Sequence, residues 1–342
     1  MDRIPKGARN QTATALSRLI NNACDSDSPI EWQKLFRFTF VCLKKPKRGG
    51  KRLPSVAVGV IKTIQKFLTD PLAPIELTVR KPPRPSEAED VRAKLAGKKL
   101  ANGDVKGAIR VLSSNDSLLP SDPSTLSVLE SKHPPRHPDS QIPDPPSAEQ
   151  AAEALQLSEA QVRKAILSFP GGSAGGCDLL LPQHLKDMTS KSSGDSGIQL
   201  LSSITRLSNK MLKGDVPHEI LPVLYGASLI AFSKPNGGVR PIAVGNTLGR
   251  LVAKAAAFTL KAELKPKLFP HQLGVSVSGG AEAIVHSGRS FCNSNISTPE
   301  PTAFLKIDFE NAFNTIRRDA FLRTIQKELS CLFPFLYQCY AN

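Results

Sequence analysis

The chain has 342 residues, 40% of them hydrophobic, which allows roughly two or three domains with real cores. It carries 45 Lys and Arg against 30 Asp and Glu, a net charge of +15 with a pI near 9.7. That balance favours a polyanionic partner, nucleic acid before membrane, although a basic binder with no chemistry has the same composition. A secretory signal is not expected, because Met1 to Gln11 is polar. Nor is a membrane span: the most apolar run, Ile220 to Phe232, is short and broken by Pro222 and Gly226. The six cysteines are scattered without a Cys-x-x-Cys pair, as reduced thiols of an intracellular protein in nucleus or cytoplasm would be. His133 and His137 sit among prolines with no cysteine pair before them, a pattern that fits a linker better than a zinc site.

Residues 1–111 read as a basic helical region with a possible nucleic-acid role. A helix opens at Pro29, with Trp32, Leu35 and Phe36 at i, i+3, i+4. Aromatics at that spacing can stack on bases, but they more often face a core, and the core reading is preferred. A second apolar helix is predicted over Val56 to Leu68. Between the two lie Lys44, Lys45, Lys47, Arg48, Lys51 and Arg52 in a Pro/Gly loop. Charges this dense cannot build a core. They suit phosphate contacts, while a nuclear import signal or a solvated loop has the same composition. Two short helices, broken near Asn102-Gly103, are predicted over Val91 to Leu112.

Residues 112–150, rich in Ser, Pro and Asp, read as a linker with a short helix near Thr125 to Glu130. From 151 to 342 the texture is that of a compact domain. Ser158 and Gln161 form a capping-box pair ahead of an apolar face of Val162, Ala165, Ile166 and Phe169, and Pro170-Gly171 stops that helix. The glycine-rich loop 171–176 invites a phosphate, but no Gly-Lys-Ser/Thr follows, so it is not a P-loop. Pro182 begins a short helix. A longer one through Ile198 to Leu212 ends at Gly214.

A hairpin is predicted from Leu224 to Val244, with Pro235-Asn236-Gly237-Gly238 as its turn. It sets Lys234 and Arg240 on either side of a tight tip, where two cations can close over a triphosphate or simply lie on a surface. A helix over Thr247 to Leu264, carrying Arg250, is expected to stop before Pro266. The segment Phe304-Leu305-Lys306-Ile307-Asp308 reads as a buried strand delivering a carboxylate at its end, with Phe313 five residues later. A strand-end Asp can hold Mg²⁺ rigidly for nucleotidyl transfer, or it can cap a helix. The helix near Arg317 to Ser330 is expected to pack on the sheet.

The order of these features resembles the reverse transcriptases of non-LTR retrotransposons. The likeness lies in Phe169 to Asp178, Pro182 to Asp187, Lys234 to Ile242, Gln272 to Val275 and Ile307 to Asn314. The resemblance implies an α+β, predominantly helical fold: a basic helical N-terminal region, a linker, then incomplete fingers and palm of a right-hand polymerase. It implies RNA template, DNA primer and deoxynucleoside triphosphates as partners, and Mg²⁺, or Mn²⁺, as cofactor.

Residue by residue, Asp308 becomes the catalytic metal ligand, and Lys234 and Arg240 hold the triphosphate. Phe309 contacts the nucleotide through its carbonyl, and Phe313 excludes a ribose 2′-hydroxyl. Gln272, Gly274 and Arg250 face the template. Cys177 and Leu180 depart from the family's usual Pro and Gly. The family's Tyr/Phe-x-Asp-Asp hairpin has no counterpart, since no Asp-Asp pair occurs in the sequence. Two ions about 4 Å apart need both carboxylate strands, so this chain is not expected to polymerise DNA unaided. The alternative reading is a non-catalytic nucleic-acid-binding protein derived from a polymerase.

Overall fold

The computed structural model describes residues 1–26, 28–44, 55–75, 88–101, 103–114, 117–234, 237–295 and 303–341. Helices α1 (Lys6–Asp25), α2 (Pro29–Cys42) and α3 (Val56–Thr69) open the chain. Ser28 and Ser55 start α2 and α3 by accepting hydrogen bonds from Ile30 and Val58 N–H groups, which would otherwise be orphaned. Trp32 is fully buried and Leu35 nearly so, so the i, i+3 stripe belongs to the core as expected. The break predicted near Asn102-Gly103 is found at Gly103, between α4 (Ala88–Ala101) and α5 (Val105–Ser113), Asn102 lying outside the described residues. Two short helices follow, α6 (Pro123–Ser131) and α7 (Ala148–Ala152), the former where the sequence places one in the linker.

Helix α8 (Glu159–Leu167) begins with the predicted reciprocal capping box between Ser158 and Gln161. Pro182 opens α9 (Pro182–Met188), and α10 (Gly194–Leu212) ends at Gly214, whose φ of 69° suits a residue without a Cβ. After the short α11 (Leu221–Leu224) come the strands β1 (Ala227–Ser233) and β2 (Val239–Gly245). They pair antiparallel, Phe232 opposite Arg240, in the one sheet found among the described residues. Linker residues cover the outer edge of β1. Leu119 N–H donates to Ala231 carbonyl at 3.0 Å, and Ser233 N–H to Ser117 carbonyl at 2.9 Å.

Helix α12 (Thr247–Leu268) is followed by α13 (Gly280–Asn295), α14 (Ala312–Thr315), α15 (Arg318–Glu328) and α16 (Phe333–Tyr340). The chain is therefore predominantly helical with a small antiparallel sheet, an α+β composition. One hydrophobic core draws on both ends of the sequence: Leu16 and Ile20 of α1 and Trp32 of α2 share it with Ile166, Leu200, Ile204 and Val252. Helix α1 lies along α10, and α12 along α8.

Three expectations are corrected. Helix α12 does not stop before Pro266 but runs through it to Leu268. A proline one turn from the end removes only the hydrogen bond to the carbonyl of Ala262, an exposed residue whose carbonyl water can satisfy. Residues 303–309 form no strand and are exposed, Leu305 by 80%. A strand exists only through a ladder with a neighbour, and none among the described residues pairs with this segment. Helix α15, finally, does not rest on the sheet. It packs on α16, where Leu322 and Phe333 form a small second core with Ile142 and Ile325 at its margin.

Candidate functional site

The hairpin brings two of the predicted residues together. Lys234 N–H donates to the Gly238 carbonyl at 2.7 Å, so the ladder continues one step beyond the paired Ser233 and Val239. Side chains alternate along a strand, and Arg240 is paired with Phe232, two residues before Lys234. Lys234 and Arg240 therefore lie on the same face of the hairpin as diagonal neighbours, and both are exposed. Pro235 and Asn236, the tip itself, lie outside the described residues.

The palm-like residues are laid out differently. Asp308 is exposed in the irregular segment, and Phe309 is 77% and Phe313 97% exposed. Asn311, in a left-handed conformation at φ 53°, anchors the following turn by donating from Nδ2 to the Lys132 carbonyl at 2.7 Å. Gln272 and Gly274 meet each other: Oε1 of Gln272 accepts from Gly274 N–H at 2.7 Å, closing a small loop. Among the described residues no three His, Cys, Asp or Glu side chains gather to hold a metal ion. A single carboxylate does not supply the octahedral oxygen set that magnesium demands, so the residues described do not fit a two-ion centre.

The glycine-rich loop is built into the protein rather than left open for a ligand. A Cβ at Gly176 would stand 2.7 Å from the Cα of Asn246, and one at Gly175 would stand 2.7 Å from the Leu180 carbonyl oxygen. Asn246 caps α12 by accepting from Leu248 N–H at 2.9 Å, and Arg250 donates from Nη2 to the Ala174 carbonyl. Asp178 is buried beside them. Burial pushes its carboxyl up to about 6, against the pull of Leu180 N–H, Asn246 and the more distant charge of Arg250. Burial also lowers the Arg250 guanidinium. Arg250, expected on the template, is thus half-buried with its head engaged by the loop.

Sequence reasoning did not single out the basic group around Phe169. Lys186 Nζ donates to the Phe169 carbonyl at 2.6 Å, and Lys254 Nζ and Arg250 Cζ lie 5.1 and 5.8 Å from the ring centroid. Burial, then the charges of Lys254 and Arg3, lower Lys186. The signal was in the sequence as Arg250, Lys254 and Phe258 at four-residue intervals along α12.

Of the basic run, Lys45, Lys47, Arg48, Lys51 and Arg52 lie outside the described residues. Lys44 sits 4.3 Å over the Phe40 ring at the edge of a cleft of about 1380 Å³, which Arg37, Lys62, Lys66 and Lys98 also line. A second cavity of about 530 Å³ is apolar, walled by Ile30, Phe36, Phe40 and Val223, with Cys177 and Asp178 at one side. Neither is lined by Lys234, Arg240 or Asp308. No described helix is long and apolar enough to cross a membrane. No protein-family model matches the chain, and no curated protein matches it either.

Proposed function

We propose that the chain carries the fingers and first palm segment of an RNA-directed DNA polymerase of the non-LTR retrotransposon type. It would act on an RNA template, a DNA primer and deoxynucleoside triphosphates. The observation that carries this reading is the shared face of Lys234 and Arg240 on the two arms of the hairpin. Two cations at that diagonal spacing can neutralise the clustered charge of a triphosphate, the main task of protein groups in nucleotidyl transfer. A supporting feature is the exposed run Phe304, Leu305 and Ile307 leading to Asp308. Consecutive apolar residues suit a strand covered on both faces, and this reading supplies the cover as a second, carboxylate-bearing hairpin.

The test is primer extension on an RNA template. The chain as it stands is expected to be silent. The chain extended through a Tyr/Phe-x-Asp-Asp hairpin is expected to add deoxynucleotides, and Asp308→Ala should abolish that activity. Lys234→Gln or Arg240→Gln should raise the KM for triphosphate roughly tenfold with a smaller change in kcat. Silence of the extended chain would overturn the polymerase reading.

A second reading, a polymerase-derived protein that only binds nucleic acid, is favoured by the basic cleft lined by Lys44, Lys62 and Lys66. It predicts salt-sensitive binding without extension in either form.

A further inference from the structure

Helix α12 carries Arg250, Lys254, Phe258, Lys261 and Lys265 at successive intervals of four, four, three and four residues. At about 100° per residue these positions fall within a strip about 80° wide, running about 22 Å along the helix. The buried positions Leu248, Val252, Ala255 and Ala256 occupy another side and pack into the core. Glu263, the one carboxylate of α12, projects away from the strip and lies 4.0 Å from Lys267. Among the described residues no carboxylate pairs with Lys164, Lys254, Lys261 or Lys265.

Phe258 stands within this strip, 39% exposed. Two cations flank its ring: Lys254 Nζ at 5.4 Å and Lys164 Nζ, from α8, at 5.9 Å from the centroid. Behind it Lys254 and Arg250 lie over Phe169, and Lys186 is fixed to the carbonyl of the same residue. Lysines on a surface helix are usually just solvated. Here like charges from two helices are held around an exposed aromatic ring with no described carboxylate paired to Lys164 or Lys254, an arrangement that repels itself and gains from a polyanion.

We propose that this strip is a track for single-stranded nucleic acid, in which Lys164, Lys254, Lys261 and Lys265 contact phosphates and Phe258 stacks on a base. An aromatic face between phosphate-binding cations is the arrangement that binds single strands without sequence preference. A duplex offers no unstacked base to Phe258, and an anionic membrane offers charge but no ring. The track uses neither the hairpin cations Lys234 and Arg240 nor the basic run near Lys44, and it does not depend on whether the chain polymerises.

The test uses the full chain and a fluorescein-labelled oligouridine, followed by anisotropy across a salt titration. Lys254→Gln/Lys261→Gln/Lys265→Gln together should weaken binding about tenfold or more, and should lower the slope against salt by about 2, near 0.7 per lost phosphate contact. Phe258→Ala should weaken the oligouridine about tenfold while leaving a duplex of equal length nearly unchanged. Lys213→Gln, at the exposed end of α10, should change neither. Photocrosslinking of a 5-iodouridine oligonucleotide to the wild-type chain should label the peptide containing Phe258, and this readout does not depend on any variant folding. Unchanged affinity and slope in the triple variant would overturn the proposal. So would crosslinks confined to residues 44–52, or a loss seen only on phosphatidylserine vesicles. Primer extension is not scored here, so failure of the track and failure of the polymerase reading remain distinct.

Discussion

Arg9 and Asp187 form an ion pair inside the protein, Nη2 to Oδ1 at 3.1 Å, joining α1 to α9 across 178 positions of sequence. The same carboxylate accepts from the Ile4 backbone N–H at 2.9 Å, from Arg3 Nη2 at 2.8 Å and from Gln183 Nε2 at 3.1 Å. One side chain of α9 thus fastens the first residues of the protein.

Removing that carboxylate should be costly. Asp187→Ala leaves the Arg9 guanidinium buried without its counter-charge, and the expected loss is about 3–5 kcal/mol. Arg3, half exposed, should matter far less, with Arg3→Ala costing about 1 kcal/mol or less. The double change Arg9→Met/Asp187→Leu should recover only part of the loss: no charge is left unpaired, but the buried Ile4 N–H loses its acceptor. Urea denaturation of the three variants measures this. Equal costs for Arg3→Ala and Asp187→Ala would contradict the burial argument.

Stability should depend on pH through two opposed groups. His184 is buried, with Nδ1 accepting from Leu181 N–H at 3.2 Å and Nε2 bonded to the Met1 carbonyl at 2.8 Å, an arrangement that fits the neutral ring. Burial pulls its pKa down from 6.5 to about 4. Between those values the unfolded chain takes up a proton that the folded chain refuses. Stability therefore falls as pH drops through this window, by about 3 kcal/mol in full. Asp178 acts the other way: raised to about 6, it holds its proton when folded, and its contribution is present at low pH and lost as pH rises through 6. The two largely cancel in the wild-type protein. Asp178→Asn should expose the His184 effect as a steep gain in stability from pH 4.5 to 6.5, read by urea denaturation at each pH. A profile superimposable on that of the wild type would refute the opposition.

The glycine-rich loop offers a sharper test of packing. Gly176→Ala would drive a Cβ to 2.7 Å from the Asn246 backbone, which is fixed as the cap of α12. Backbone cannot swing aside as a flexible side chain does, and the expected loss is about 1–3 kcal/mol in thermal or urea unfolding. Ser173→Ala, in the same loop but only half-buried, should cost about 1 kcal/mol or less, since its hydroxyl bonds only the Pro170 carbonyl. Comparable effects at the two sites would mean that the loop is not held where the structure places it.

Much of the local architecture was legible in the residues. Ser158 and Gln161 announce the start of α8, Gly214 the end of α10, and the two apolar runs on either side of residues 235–236 the strands β1 and β2. These signals are local: caps, positive-φ glycines and turn residues act through hydrogen bonds within a few positions of themselves. The common face of Lys234 and Arg240 was nearly readable too, because alternation and a tight turn settle it once the register is known. Asp308 was not. Its segment has strand composition, but a strand is a property of two chains of backbone side by side, and no sequence pattern guarantees the neighbour.

The sequence by itself determined many of the helices, the cap of α8, the hairpin strands and the excess of positive charge, because periodicity and turn chemistry are local and charge is additive. Only the tertiary structure decided that α1 lies against α10 and that Asp187 ties down the first turn. It likewise decided that lysines from α8 and α12 surround Phe258. Each of those outcomes depends on groups far apart in sequence sharing one core or one surface, and it is burial, not local preference, that selects among them.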